Sequence, residues 1–224
     1  SVTILPVQFS KFLNIDLDWV FKAVYPLIFS MVPLALFLSY QKLTSPRIAF
    51  LSVFFFVSID VVYFQMLGLA RQMIAELFFA LLILLIVEDK ISLPKRKLLF
   101  IIFSTALIVS HYASSYIFMF YILITFCLLP FLNSSKRSDV KHEKLITGKL
   151  VLLYFTVAIL WYVFVSPSAF KAFANTANHI YQSILAHASA PGVSGLMPRY
   201  VSPLHQVSQY LFYGLQLFLI VGFI

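Results

Sequence analysis

The sequence predicts an all-α fold, a polytopic transmembrane helical bundle with about seven spans. Three observations lead there. Of 224 residues, 62% are hydrophobic and 11% are charged, against about 45–50% and about 25% in ordinary soluble domains. The apolar residues gather into long runs separated by short basic loops, the pattern of helices in a bilayer. Twenty-five Phe and twelve Tyr stand beside only six Gly. Too few polar residues remain to cover a soluble enzyme or a nucleic-acid module, and a disordered tail would be far less apolar. The net charge of +8 lies in loops between apolar runs, so it is a topology signal and no nucleic-acid partner is expected. Cys127 is the single cysteine, so no intramolecular disulfide forms, and no Cys/His zinc spacing occurs.

The elements follow in order. Gln8 to Trp19 is a short amphipathic segment, with Asp16 or Asp18 expected to cap the next helix. Seven apolar stretches come next, roughly Val20–Tyr40, Ile48–Phe64, Met73–Val87, Leu98–Ser110, Ser115–Leu132, Leu150–Val165 and Gln206–Ile224. Several are shorter than the roughly 20 residues of a full span, which packing among neighbours tolerates. Leu98–Leu132 as one helix would be about 50 Å long, too long for a hydrocarbon core of about 30 Å. The polar group His111–Ser115 near its middle marks a tight turn between two antiparallel spans.

Charge sets the orientation. Eleven of the sixteen Lys and Arg fall in the loops after the first, third and fifth spans, which the positive-inside rule makes cytoplasmic. The opposite, extracytoplasmic face then holds the N-terminal segment, residues 60–76, the His111 turn and the connection 166–205. In that connection Phe170, Phe173, Ala177, Ile180 and Ile184 form one helical stripe, an interfacial helix lying on the membrane over Ala169–Ala188. The Pro/Gly/Ser-rich residues after it read as a loop. Residues 1–224 are expected to form a single transmembrane domain in the plasma membrane. Ser1 opens a segment without signal-peptide shape and Ile224 falls inside an apolar run, so the expectation is a fragment of a longer chain.

Polar residues converge on the outer face. Arg71-Gln72-Met73-Ile74-Ala75-Glu76 opens the third span. A carboxylate in the hydrocarbon zone costs about 2–3 kcal/mol or more, so Glu76 must face protein, a wet cleft or a cation. Either Arg71 stands at the mouth of a polar cleft ready for an anion such as phosphate, or the two residues form an ion pair between helices. Asp60 ends the second span and is either a helix-end residue or part of the pocket. His111 can donate to a phosphate, accept a proton or ligate a metal. With Tyr112, Ser115 and Tyr116 it can equally form an interhelical hydrogen-bond cluster. Trp161-Tyr162 fits an interfacial aromatic belt, and Arg199 lies in the long outer loop.

Three stretches carry a resemblance. They are Ser1–Pro6 leading into Val20–Leu27, then Leu69–Phe79, then Ser110–Tyr116 with Trp161-Tyr162-Val163. Together they resemble an archaeal family of large multi-pass membrane proteins of unknown function, whose architecture is similar to the GT-C superfamily of membrane glycosyltransferases. The resemblance implies transfer of a sugar from a polyprenyl-phosphate carrier to a glycan or protein acceptor on the extracytoplasmic face. It implies donor-phosphate contacts at Arg71 and Arg199. Glu76 and His111 become catalytic candidates, with Asp60, Gln72, Tyr112, Ser115 and Tyr116 lining the pocket. It also implies a main catalytic acid upstream of Ser1 and a possible divalent metal. A transporter or flippase and a non-catalytic membrane subunit remain the alternatives.

Overall fold

The apolar runs become helices, and serine shows how they tolerate polar groups. In hydrocarbon every polar group needs an internal partner. Ser30, Ser39, Ser58 and Ser110 each turn their hydroxyl back onto a carbonyl three or four residues earlier, at 2.7 Å in every case. In the computed structural model residues 4–59, 62, 68–134 and 145–188 are described, and among them the elements are helices without a strand.

The helices are α1 (Ile4–Leu13), α2 (Leu17–Leu43), α3 (Pro46–Ser58), α4 (Ala70–Val87), α5 (Leu93–Ser110), α6 (Tyr112–Ser134), α7 (Gly148–Val165) and α8 (Pro167–Ala188). Three are long and apolar enough to cross a membrane: α2, α4 and α7. Pro46–Ser58 and Tyr112–Cys127 are apolar but shorter. The expected seventh span, Gln206–Ile224, lies outside the described residues. Large apolar side chains point outward, with Leu27 at 71%, Leu152 at 69% and Phe164 at 76% exposure. Such a surface suits lipid and would be a liability in water.

Local sequence sets the helix boundaries. Asn14 ends α1 in the left-handed region at φ 52°, which Asn tolerates better than most residues. The Ser10 hydroxyl donates to the Ile15 carbonyl across that turn at 2.6 Å. Asp16 stands at the N-cap position of α2, but its side chain makes no cap bond. Asp18 instead pairs with Lys22 at the surface, 3.3 Å away. The expected side-chain cap is therefore replaced by the Asp16 carbonyl, which accepts from Trp19 and Val20. Ser45 caps α3 by accepting from Ile48, with Pro46 in the first turn.

The chain divides into two units, Ser1–Lys171 and Ala172–Ile224. In the first, α4 is the central helix. Met73 and Ala80, seven apart, join Val20, Tyr25, Phe29 and Val32 in one core. Ala75 and Leu82, also seven apart, join Phe100, Leu107, Phe118, Tyr154 and Tyr162 in another. Positions two apart lie on nearly opposite helix faces, so an all-round apolar helix buries two sides.

Contacts at the helix ends fix the directions. Lys42 near the end of α2 bonds Glu88 just after α4 at 3.0 Å, so α2 and α4 run parallel. Arg96 at the start of α5 donates to Leu85 and Ile86 at the end of α4, and Arg71 at the start of α4 donates to Ser110 at the end of α5. These two helices are antiparallel. Tyr162 near the end of α7 donates to Ile108 near the end of α5 at 3.0 Å, so these run parallel. The second unit is described over 172–188, the later part of α8. On that helix Phe170 and Ile180 are exposed, while the side chains of Phe173 and Ile184 lie outside the described set.

Candidate functional site

The long run breaks at a single residue. His111 is extended, at φ −152° and ψ 122°, and α6 begins at once with Tyr112. The expected turn is thus one residue long, and Tyr112 to Ser115 form the first turn of a helix. His111 also caps that helix, because the Ser114 amide donates to its Nδ1 at 3.4 Å. An amide can only donate, so Nδ1 is an acceptor and the ring proton sits on Nε2.

This end of the first unit holds a cleft of about 370 Å³ lined by Phe21, Arg71, Gln72, His111 and Tyr112 together with the chain entering α4. Arg71 is exposed, and its Nε reaches the Ser110 carbonyl at 3.4 Å; among the described residues its terminal amino groups have no hydrogen-bond partner. The N-termini of α4 and α6 both open here. Their first amides have no acceptor within the helix, and each helix dipole is positive at this end. One guanidinium and two helix N-termini make a concentration of positive potential suited to an anion.

Glu76 lies elsewhere. Its carboxylate is hydrogen-bonded by the side chains of Gln72 and Ser114, and it lines a second cavity of about 440 Å³. Phe79, Ile83 and Val87 continue the same stripe of α4 along that cavity, about 16 Å in all. The walls are otherwise apolar or uncharged. Among the described residues the ion pairs are Lys22–Asp18 and Lys42 with Glu88 and Asp89, so neither Arg71 nor Glu76 joins two helices through an ion pair there.

The remaining sequence candidates divide. Ser115 is buried and works as a fastener: Tyr154 donates to its carbonyl at 2.9 Å, and its hydroxyl lies 2.8 Å from the Tyr154 oxygen. Tyr154 has one proton, already given to the carbonyl, so the Ser115 hydroxyl is the donor in the second bond. Tyr116 packs against Tyr112 and Tyr162 at ring distances of 6.1 and 4.9 Å, and its hydroxyl donates to Ala169 at 3.4 Å. Tyr162 is buried, at 3% exposure, and so belongs to the core instead of an aromatic belt. Asp60 and Arg199 lie outside the described residues. Among the described residues no three His, Cys, Asp or Glu side chains gather as a metal-binding group.

Sequence reasoning passed over Phe21, which brings an aromatic ring into the cleft from α2, and Ser114, which touches both Glu76 and His111. The spacing His111-x-x-Ser114 at a helix start was the available signal, since capping joins those positions.

Residues 96–224, more than half of the chain, match the family described as predicted membrane protein (DUF2206), and the chain belongs to that family. The match includes His111–Tyr116 and leaves Arg71 and Glu76 outside. No curated protein and no solved structure matches the chain.

Proposed function

We propose that this DUF2206 member is a multi-pass membrane glycosyltransferase of GT-C type. It takes a sugar from a polyprenyl-phosphate carrier and transfers it to a glycan or protein acceptor on the extracytoplasmic face. The observation that carries the reading is the meeting of Arg71, His111 and two helix N-termini in one cleft. Breaking the bond from the anomeric carbon to phosphate oxygen leaves charge on the phosphate. Cations and helix N-termini held in place stabilise that charge as it develops. Arg71 takes the phosphate as a forked donor, and Arg199 in the outer loop is a second candidate for a donor-phosphate contact. The Nε2 proton of His111 serves a phosphate oxygen. The acceptor oxygen forms the new bond to the anomeric carbon, and its proton passes to a carboxylate base; Asp60 is the candidate for that base on this chain, because Glu76 lines the inner cavity and not the cleft. Gln72 and Tyr112 line the cleft, Ser115 and Tyr116 fasten the helices behind it, and the interfacial part of α8 guides the lipid.

The test is conversion of a polyprenyl-phosphate-linked hexose by the protein in liposomes. Acceptor-dependent release of polyprenyl phosphate is expected, reduced at least tenfold in Arg71→Ala. Release at the wild-type rate in that variant would remove the phosphate role.

One observation favours a second reading, a transporter or flippase. Glu76 lines a cavity that runs along α4 away from the end where the cleft opens. Carrier or sugar flux across liposomes without covalent transfer would select it.

A further inference from the structure

The two cavities share no lining residue, yet one side chain connects them. His111 lines the cleft and not the inner cavity; Glu76 lines the inner cavity and not the cleft. Ser114 lies between them at 4% exposure. Its hydroxyl is 3.3 Å from Nδ1 of His111, and the same side chain hydrogen-bonds Glu76. A hydroxyl both donates and accepts, so a buried serine joining a carboxyl to an imidazole can move a proton without moving itself. The Ser114 amide already selects the ring form with Nδ1 open and the proton on Nε2.

We propose that Glu76, Ser114 and His111 form a proton relay between the inner cavity and the cleft. Starting from the carboxylic acid, the Glu76 proton passes to the Ser114 oxygen. The Ser114 hydroxyl proton passes to Nδ1 of His111, and Nε2 releases its proton to an oxyanion held in the cleft. Glu76 ends as carboxylate, Ser114 is regenerated with its oxygen accepting from Nδ1, and the imidazole stays neutral in its other tautomer, in which the Ser114 amide gives up its long bond to Nδ1. The charged and titratable neighbours are few. Arg71 and Tyr112 flank His111 in the cleft, and Tyr40 and Tyr121 line the cavity with Glu76. The relay does not depend on sugar transfer, because any bound oxyanion can receive the proton. Ser114 is a positioning residue in this step, since it acts through His111.

The experiment is nitrogen NMR of the His111 ring in the histidine-labelled protein in nanodiscs, assigned with His111→Asn. Without ligand, Glu76→Gln should shift the Nδ1 resonance in the wild-type and Ser114→Thr backgrounds and leave it unmoved in Ser114→Ala. The same shift in Ser114→Ala, or none in any background, overturns the relay. Polyprenyl phosphate is then added as the probe, with its binding measured separately. Bound probe should move the ring proton from Nε2 to Nδ1 in wild type and Ser114→Thr but not in Ser114→Ala or Glu76→Gln. Equal conversion in all four overturns the proposal, as does bound probe without conversion in wild type. Failure of the probe to bind counts against the transferase reading and leaves the ligand-free comparison to decide the relay.

Discussion

An arginine stands at each end of α4, Arg71 on α4 itself and Arg96 reaching in from the start of α5, and the two are used in opposite ways. Arg96 is buried, at 8% exposure, and gives its donors to the Leu85 and Ile86 carbonyls at 3.1–3.3 Å. These are carbonyls that the end of a helix leaves unsatisfied, at the negative end of its dipole. Arg71 at the other end is exposed and, among the described residues, makes one bond of 3.4 Å. It stands at the positive end of the dipole, where a second positive charge gains nothing from the helix. Arg96, buried with bonds from Nε and Nη2 to terminal carbonyls, caps a helix, whereas Arg71 is exposed and set against the field of its own helix.

Four perturbations sharpen this contrast. Arg96→Ala should have the largest effect on stability, about 1–3 kcal/mol for each buried carbonyl left unsatisfied. Thermal unfolding in nanodiscs would show it, and Arg96→Lys should recover only part because an ammonium lacks the fork. Tyr154→Phe removes the donor to the Ser115 carbonyl and should cost about 1 kcal/mol, read in the same assay.

A smaller effect is expected at the Lys42 end. The Lys90 amide and then the Lys42 ammonium hold the Glu88 carboxyl below the ordinary carboxylate value of 4.5. A depressed acid contributes stability above its unfolded pKa and loses it as pH falls through the folded one. Stability of the wild type should therefore drop as pH is lowered below about 4.5, and Glu88→Gln should flatten that part of the profile. Arg71→Ala should change stability least, within about 0.5 kcal/mol, because it gives up one long bond at an exposed site. A large loss there would make Arg71 a structural residue like Arg96 and end the comparison.

How much of this was legible in the sequence depends on the range of the interaction. Hydropathy and the charged loops place α2, α4 and α7 because both signals are local to a span. The break at His111 was also legible, since an apolar run too long for a bilayer needs a polar interruption. The expected side-chain cap at Asp16 or Asp18 does not form, because whether a side chain or a carbonyl serves the first amides depends on local geometry. Arg96 read as one of a run of loop cations, and nothing in Lys95-Arg96-Lys97 says which of the three turns inward. The bonds from Tyr154 to Ser115 and from Tyr162 to Ile108 join positions far apart in the chain, and no periodicity encodes such pairs. At the site, Arg71, Gln72, His111 and Tyr112 fall on one cleft because the start of α4 and the junction of α5 with α6 share one end. That followed from topology. Glu76 belongs to a different cavity because 100° of rotation per residue and the packing of α4 decide which wall it joins.

The most direct test of the account is the affinity of the protein in nanodiscs for polyprenyl phosphate, compared between wild type, Arg71→Lys and Arg71→Ala. Saturable binding that falls with rising salt is expected. A partial loss in Arg71→Lys and at least a tenfold loss in Arg71→Ala are also expected, since a charge-assisted bond contributes about 1.5–3 kcal/mol. Equal affinity in all three proteins, with folding intact, would contradict the claim that this end of α4 is built to hold a lipid-borne phosphate.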